Sequence, residues 1–217
     1  MKELLAELIG TFILVFAITS TIAGTLSISA TFGLLNIIAI ALTAGLALAA
    51  IAYSFGQFSG GHFNPAVTIG LCAAGKFPAK SVPSYLIFQF LGAMLASIAL
   101  LLLAGPGQLG ATTAGNFGLG AALAVETVAT ALFVIIILSV TKNKENANHA
   151  PLAIGFYLLV AHLYAIPFSG ASLNPARSLG PALLTGGAAL SELWIYFAGP
   201  ILGAIIGALI FKHLLEK

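Results

Sequence analysis

Charge is what this sequence has least of. Asp, Glu, Lys and Arg make up 6% of its 217 residues, while 60% are hydrophobic and the mean hydropathy is +1.11. So few charges cannot cover the surface of a water-soluble globule, which excludes one. Cysteine is almost missing as well: Cys72 stands alone, excluding an internal disulfide and a cysteine metal cluster. Arg177 is the single arginine, and no basic patch exists to hold nucleic acid. Neither a His-Glu metal spacing, a serine or cysteine nucleophile motif nor a phosphate loop is visible. An enzyme, a metal and a cofactor are therefore not expected, and no low-complexity linker or soluble domain interrupts the chain. What remains is an integral membrane protein whose first partner is the lipid bilayer.

Six apolar segments are long enough to span one, roughly 4 to 27, 34 to 55, 82 to 104, 117 to 140, 150 to 168 and 193 to 213. The first is too long for a cleavable signal and carries Glu7. Lys2, Lys76, Lys80, Lys142, Lys144, Lys212 and Lys217 all fall on the side that holds both ends of a six-span chain. The positive-inside rule makes that side the cytoplasm, and a cell membrane is the expected location.

Between the spans a twelve-residue stretch occurs twice. Ser59-Gly60-Gly61-His62-Phe63-Asn64-Pro65-Ala66-Val67-Thr68-Ile69-Gly70 and Ser169-Gly170-Ala171-Ser172-Leu173-Asn174-Pro175-Ala176-Arg177-Ser178-Leu179-Gly180 share six residues at identical offsets. Asn is a good N-cap and Pro is favoured at the first helical position, so each copy predicts a loop followed by a helix start. The first of these helices has about ten residues, roughly 15 Å against a hydrocarbon core of about 30 Å. That is a half helix.

The repetition extends outward. Glu7 and Thr11 match Glu126 and Thr130, Gly45 and Gly155 each lie nineteen before their Asn, and Leu-Gly-Ala recurs at 91 to 93 and 202 to 204. The expected fold is all-α, six transmembrane helices plus two re-entrant half helices, in one domain of two inverted three-helix repeats, approximately 1 to 104 and 117 to 217. A pseudo-two-fold axis then brings the two Asn-Pro-Ala starts together near the midplane.

Two facing helix N-termini concentrate partial positive charge there, repelling cations and suiting neutral solutes. If each Asn oxygen caps its own helix, the amide nitrogens of Asn64 and Asn174 are free to donate to a passing oxygen. The approach loops, Ser59 to Phe63 and Ser169 to Leu173, cannot be helical, and non-helical backbone at this depth is tolerated only in protein or along a water-filled cavity. Their carbonyls are expected to line the path, with Gly60, Gly61 and Gly170 supplying unusual backbone angles. Glu7 and Glu126 are expected to accept hydrogen bonds from these loops. The alternative, a proton relay in a coupled transporter, also needs intramembrane carboxylates. Gly199, Gly203 and Gly207 permit close helix contact, within or between subunits.

The paired Asn-Pro-Ala boxes, the second extended to Arg177, the Ser-Gly-Gly-His-Phe-Asn-Pro-Ala-Val-Thr string and the Glu in the first span of each half together resemble the aquaporins, or major intrinsic proteins, over essentially the full length. The resemblance implies a homotetramer with one pore per subunit and an outer constriction formed by four positions. These align with Ala44, twenty before Asn64; His162, twelve before Asn174; Ala171, three before it; and Arg177, three after it. Water-selective members usually carry an aromatic at the first and often Thr or Cys at the third. Alanine at both implies a wider opening, passing hydrogen peroxide or ammonia beside water. Ser178, where glycerol-conducting relatives have Asp, and Tyr196-Phe197, where they have Pro-Leu, favour the water-channel branch. A glycerol or urea facilitator is the alternative within the class.

Overall fold

The computed structural model describes residues 1–28, 33–142 and 147–216. Lys144 and Lys217, counted above for orientation, lie outside the described residues. Among the described residues, six helices are long and apolar enough to cross a membrane. They are α1 (Lys2–Ile28), α2 (Leu34–Ser59), α4 (Val82–Ala104, extended at its start by the turn Ala79–Ser81), α5 (Gly118–Lys142), α6 (Ala150–Ser169) and α9 (Ile195–Ile210), which runs on through a π-helical turn at Phe211–Leu215. The half helices are α3 (Pro65–Ala73) and α7 (Pro175–Thr185), and a one-turn helix α8 (Gly187–Ser191) follows the second. The architecture is that of the expected all-α membrane fold. Segment 34 to 55 runs one turn longer than expected, to Ser59, because Gly60 closes it in the left-handed conformation, φ 85°.

Each half packs alike: α1 lies on α4 and α2, α5 lies on α9 and α6, and α2 and α6 cross between the halves. Glycines fix how close the crossings come. A Cβ on Gly45 would sit 2.6 Å from the Gly155 carbonyl oxygen, and one on Gly155 would sit 2.5 Å from that of Gly45. Both are too close for any side chain, so the pair nineteen before each Asn is the α2–α6 contact. Gly92 and Gly203 press on the carbonyls of Leu8 and Thr127, at 2.3 and 2.2 Å by the same construction. Those two acceptors follow Glu7 and Glu126. Gly199 and Gly207 likewise pack on α5, so the glycine series on α9 serves a contact inside one chain.

Candidate functional site

The two loops that lead into α3 and α7 run against local preference. Phe63, Ala171 and Leu173 have φ of 48°, 52° and 56° beside left-handed Gly60, Gly61 and Gly170. Left-handed geometry costs a residue with a Cβ about 1–2 kcal/mol. Buried carboxylates offset it. Glu7 accepts from Ser59 Oγ (2.7 Å), His62 N (2.9 Å), Phe63 N (2.6 Å) and Gln89 Nε2 (2.7 Å). Glu126 accepts from Ser169 Oγ (2.7 Å), Ser172 N (2.8 Å) and Leu173 N (2.7 Å). Hydrogen bonds to a charged group are worth about 1.5–3 kcal/mol each, so the three that each loop makes outweigh its strain. The loop backbones are also tied outward: Tyr85 and Tyr196 donate to the carbonyls of Ser59 (2.9 Å) and Ser169 (2.7 Å). Ser169 thus turns its carbonyl to a tyrosine, where the sequence suggested it lined the path.

Asn64 Oδ1 accepts from Ala66 N at 2.9 Å, and Asn174 Oδ1 from Ala176 N and Arg177 N at 3.0 and 3.3 Å. Both asparagines are therefore N-caps, with Pro65 and Pro175 opening their helices. Their amide nitrogens are less free than the sequence suggested. Asn64 Nδ2 donates to the Leu173 carbonyl (2.7 Å) and Asn174 Nδ2 to the Phe63 carbonyl (2.9 Å). Each amide keeps one further hydrogen, since an NH2 carries two. The same contacts engage the Phe63 and Leu173 carbonyls. Among the described residues, the carbonyls of Gly60, Gly61, His62, Gly170, Ala171 and Ser172 accept no hydrogen bond.

Asn64 and Asn174 border a cavity of about 20 Å³, room for one or two water centres at roughly 10–15 Å³ each. His62 and Ser172, two before each Asn, border it too. His162 and Arg177, both almost fully buried, complete its polar lining. His162 Nδ1 lies 2.9 Å from the Leu158 carbonyl, which can only accept, so Nδ1 carries the proton and Nε2 presents a lone pair. Arg177 Nη1 donates to the Gly110 carbonyl at 2.7 Å, while its Nε and Nη2, and His162 Nε2, have no partner among the described residues. Unpaired buried polar atoms are costly, and these three, on residues that border the cavity, can bond a polar solute there. A second cavity of about 800 Å³ opens past Gly60 and Gly61 to Lys76.

The model of the major intrinsic protein family matches residues 1–211. The chain belongs to that family. It is 41% identical to aquaporin Z of Rhodopseudomonas palustris, over 98% of this chain and 93% of the relative, and 42% identical to aquaporin Z of Brucella melitensis, over 100% and 99%. Its fold matches an aquaglyceroporin from Plasmodium falciparum with a TM-score of 0.86, at 22% identity, covering 99% of this chain and 96% of that one.

Of the four aligned positions, His162 and Arg177 border the cavity and the two alanines do not. Ala44 and Ala171 are fully covered, and neither borders the central cavity. The apolar lining comes instead from Leu14, Ile18, Leu48, Phe133 and Leu158, none of which the motifs pointed to. A signal was present: Leu14 and Phe133 each lie seven after their Glu, and Leu48 and Leu158 each lie sixteen before their Asn. The partners of the four aligned positions under the same offsets are Ile154, Ala52, Gly61 and Val67, and all four line the second, larger cavity. One half thus places His and Arg where the other places Ala and Val. Also unforeseen was the outer loop, which Arg177 holds through Gly110 and Ser178 holds through Thr112 Oγ1 at 2.8 Å. It joins the halves and has no repeat counterpart to reveal it.

Proposed function

We propose that the chain is a passive, proton-excluding transmembrane water channel, a single domain of two inverted repeats, approximately 1 to 104 and 117 to 217, assembled as a homotetramer in the cell membrane with both termini cytoplasmic. The observation that carries this is the meeting of two capped helix N-termini, at Asn64 and Asn174, beside a cavity of about 20 Å³. Two helix ends and the Arg177 guanidinium raise an electrostatic barrier to hydronium and other cations, while a neutral solute meets donors in Asn64, Asn174 and Arg177 and acceptors in His162 and the loop carbonyls. The aquaporin Z relatives support water as the substrate. Hydrogen peroxide and ammonia are close to water in size and polarity and follow it. Glu7 and Glu126 each hold their loop through three hydrogen bonds, which favours a channel over a proton-coupled transporter.

The two alanines at the constriction favour, as a second possibility, a glycerol or urea facilitator. Reconstituted vesicles separate the two. After a sucrose step the protein is expected to speed shrinkage, and a trapped pH dye is expected to show no matching proton entry. Proton flux rising with water flux overturns the proposal, and glycerol or urea entering as fast as water replaces it with the second.

A further inference from the structure

With Ala44 and Ala171 covered, the constriction would lack an apolar side unless another helix supplied one. Ile18 of α1 borders the cavity together with His162 and Arg177. Two contacts fix its height. Thr21 and Thr43 meet through their hydroxyls at 3.1 Å, which sets this turn of α1 beside the turn of α2 that carries Ala44. Gly110, whose carbonyl takes the Arg177 guanidinium, lies so near α1 that a Cβ on it would stand 2.8 Å from Thr19 Cα. Ile18, the neighbour of Thr19, is therefore level with the guanidinium. Leu14 stands one turn deeper on α1, and Leu48 one turn deeper than Ala44 on α2. A β-branched side chain on a helix has essentially one χ1 rotamer, so Ile18 is a fixed wall. Its repeat partner Ile137, eleven after Glu126 as Ile18 is eleven after Glu7, lines the second, larger cavity, where no His or Arg faces it from the constriction positions.

We propose that Ile18 is a specificity-determining residue: its side chain forms the apolar part of the wall that His162 and Arg177 complete, and it sets the largest neutral solute that passes. This rests on the channel function proposed above. The constriction is consequently narrower than two alanines imply, and the residue that narrows it belongs to a helix outside the four aligned positions.

The test uses the full-length protein in vesicles, with water followed by shrinkage in sucrose and urea and glycerol followed by re-swelling. Ile18→Ala is expected to raise the urea-to-water and glycerol-to-water permeability ratios about tenfold, the low end of what a missing methylene changes in a size-selecting apolar pocket. Ile18→Phe is expected to lower water and urea entry together. Ile40→Ala removes the same atoms from the same apolar cluster away from the cavity, and is expected to leave the ratios unchanged. An unchanged ratio in Ile18→Ala, or an equal rise in Ile40→Ala, overturns the proposal while water conduction stands. Should Ile18→Ala not fold, Ile18→Val is expected to give a smaller rise of the same sign, and no rise there counts against the proposal equally. A parent protein that shrinks vesicles no faster than lipid alone sinks the channel function itself, and Ile18 with it.

Discussion

The side-chain amide of Asn64 donates to the backbone carbonyl of Leu173 at 2.7 Å, joining the cap of one half helix to the loop that feeds the other. Asn174 returns the bond to Phe63. Each asparagine therefore caps, crosslinks and still keeps one hydrogen for the cavity.

Asn64→Asp removes all donor capacity at once. The Leu173 carbonyl then lies buried against a carboxylate, and leaving it unpaired costs about 1–3 kcal/mol before any repulsion is counted. The variant is expected to melt at a lower temperature in detergent, to pass less water and to admit cations. Asn174→Asp is expected to do the same through Phe63. Normal water flux and intact ion exclusion in both variants would show that the crosslink has no part in permeation.

Glu126→Gln distinguishes a loop anchor from a proton relay. Glutamine has one acceptor oxygen where Glu126 uses two, and its NH2 would face N–H groups of Ser172 or Leu173. Losing one charge-assisted bond costs about 1.5–3 kcal/mol, so unfolding temperature and water flux are both expected to fall. A well-folded variant with full water flux would contradict the anchor role.

Arg177→Val tests the charge barrier. A unit charge about 4 Å from a passing ion contributes about 4 kcal/mol at an effective dielectric constant of 20, whereas neutral water feels little of it. Proton and alkali-cation leak is expected to rise far more than water flux. Since the Gly110 carbonyl loses its donor, faster amide exchange in the outer loop is expected as well.

The fold was legible because its periodic features are sequence features: apolar runs of spanning length, two Asn-Pro starts and one Glu inside the first span of each half. Glu7 and Glu126 could be paired with their loops because both recur at matched positions. What stayed hidden depends on side chains reaching across the symmetry. Nothing local in Phe63 or Leu173 announces a left-handed conformation, since the carboxylate that stabilises it arrives from a helix more than forty residues earlier. Nor could the motif around Asn174 report that its amide is half used, because the acceptor lies in the other repeat. The alanines at 44 and 171 suggested empty space for a similar reason: whether a small residue leaves a void depends on what neighbouring helices bring to it.

At the end of α9 Glu216 pairs with Lys76, and Lys142 Nζ donates to the carbonyls of Leu215 and Glu216 at 3.1 and 3.0 Å. The hydrogen bond from Lys76 holds the Glu216 carboxyl below its ordinary value of 4.5. A depressed carboxylate stabilises the paired form above its free pKa, and that contribution is lost as the pH falls through the lowered value. Amide exchange in Phe211–Leu215, corrected for its intrinsic rate, is therefore expected to be flat from neutral pH to about 5 and to rise in stronger acid. Glu216→Gln is expected to show the raised exchange at neutral pH, and an acid response that persists in it would place the switch elsewhere.

The last expectation joins Ala44 to Ile18. If Ile18 occupies the space that an aromatic at position 44 would need, Ala44→Phe alone overpacks a covered site, at a cost of about 1–3 kcal/mol. Shortening the opposing side chain returns that space, so Ile18→Ala is expected to recover most of the loss in the double variant. The aromatic then serves as the wall, and the urea-to-water ratio is expected to fall back from the high value of Ile18→Ala toward that of the parent. Residues in contact show coupling of about 0.5–3 kcal/mol, while independent sites add to within about 0.5. Thermal unfolding of the four proteins gives the coupling directly, and permeability ratios on the same preparations show whether it reaches the pore. Simple additivity in both would mean that Ile18 and Ala44 do not share the space, and that the covered alanine owes its burial to a different neighbour.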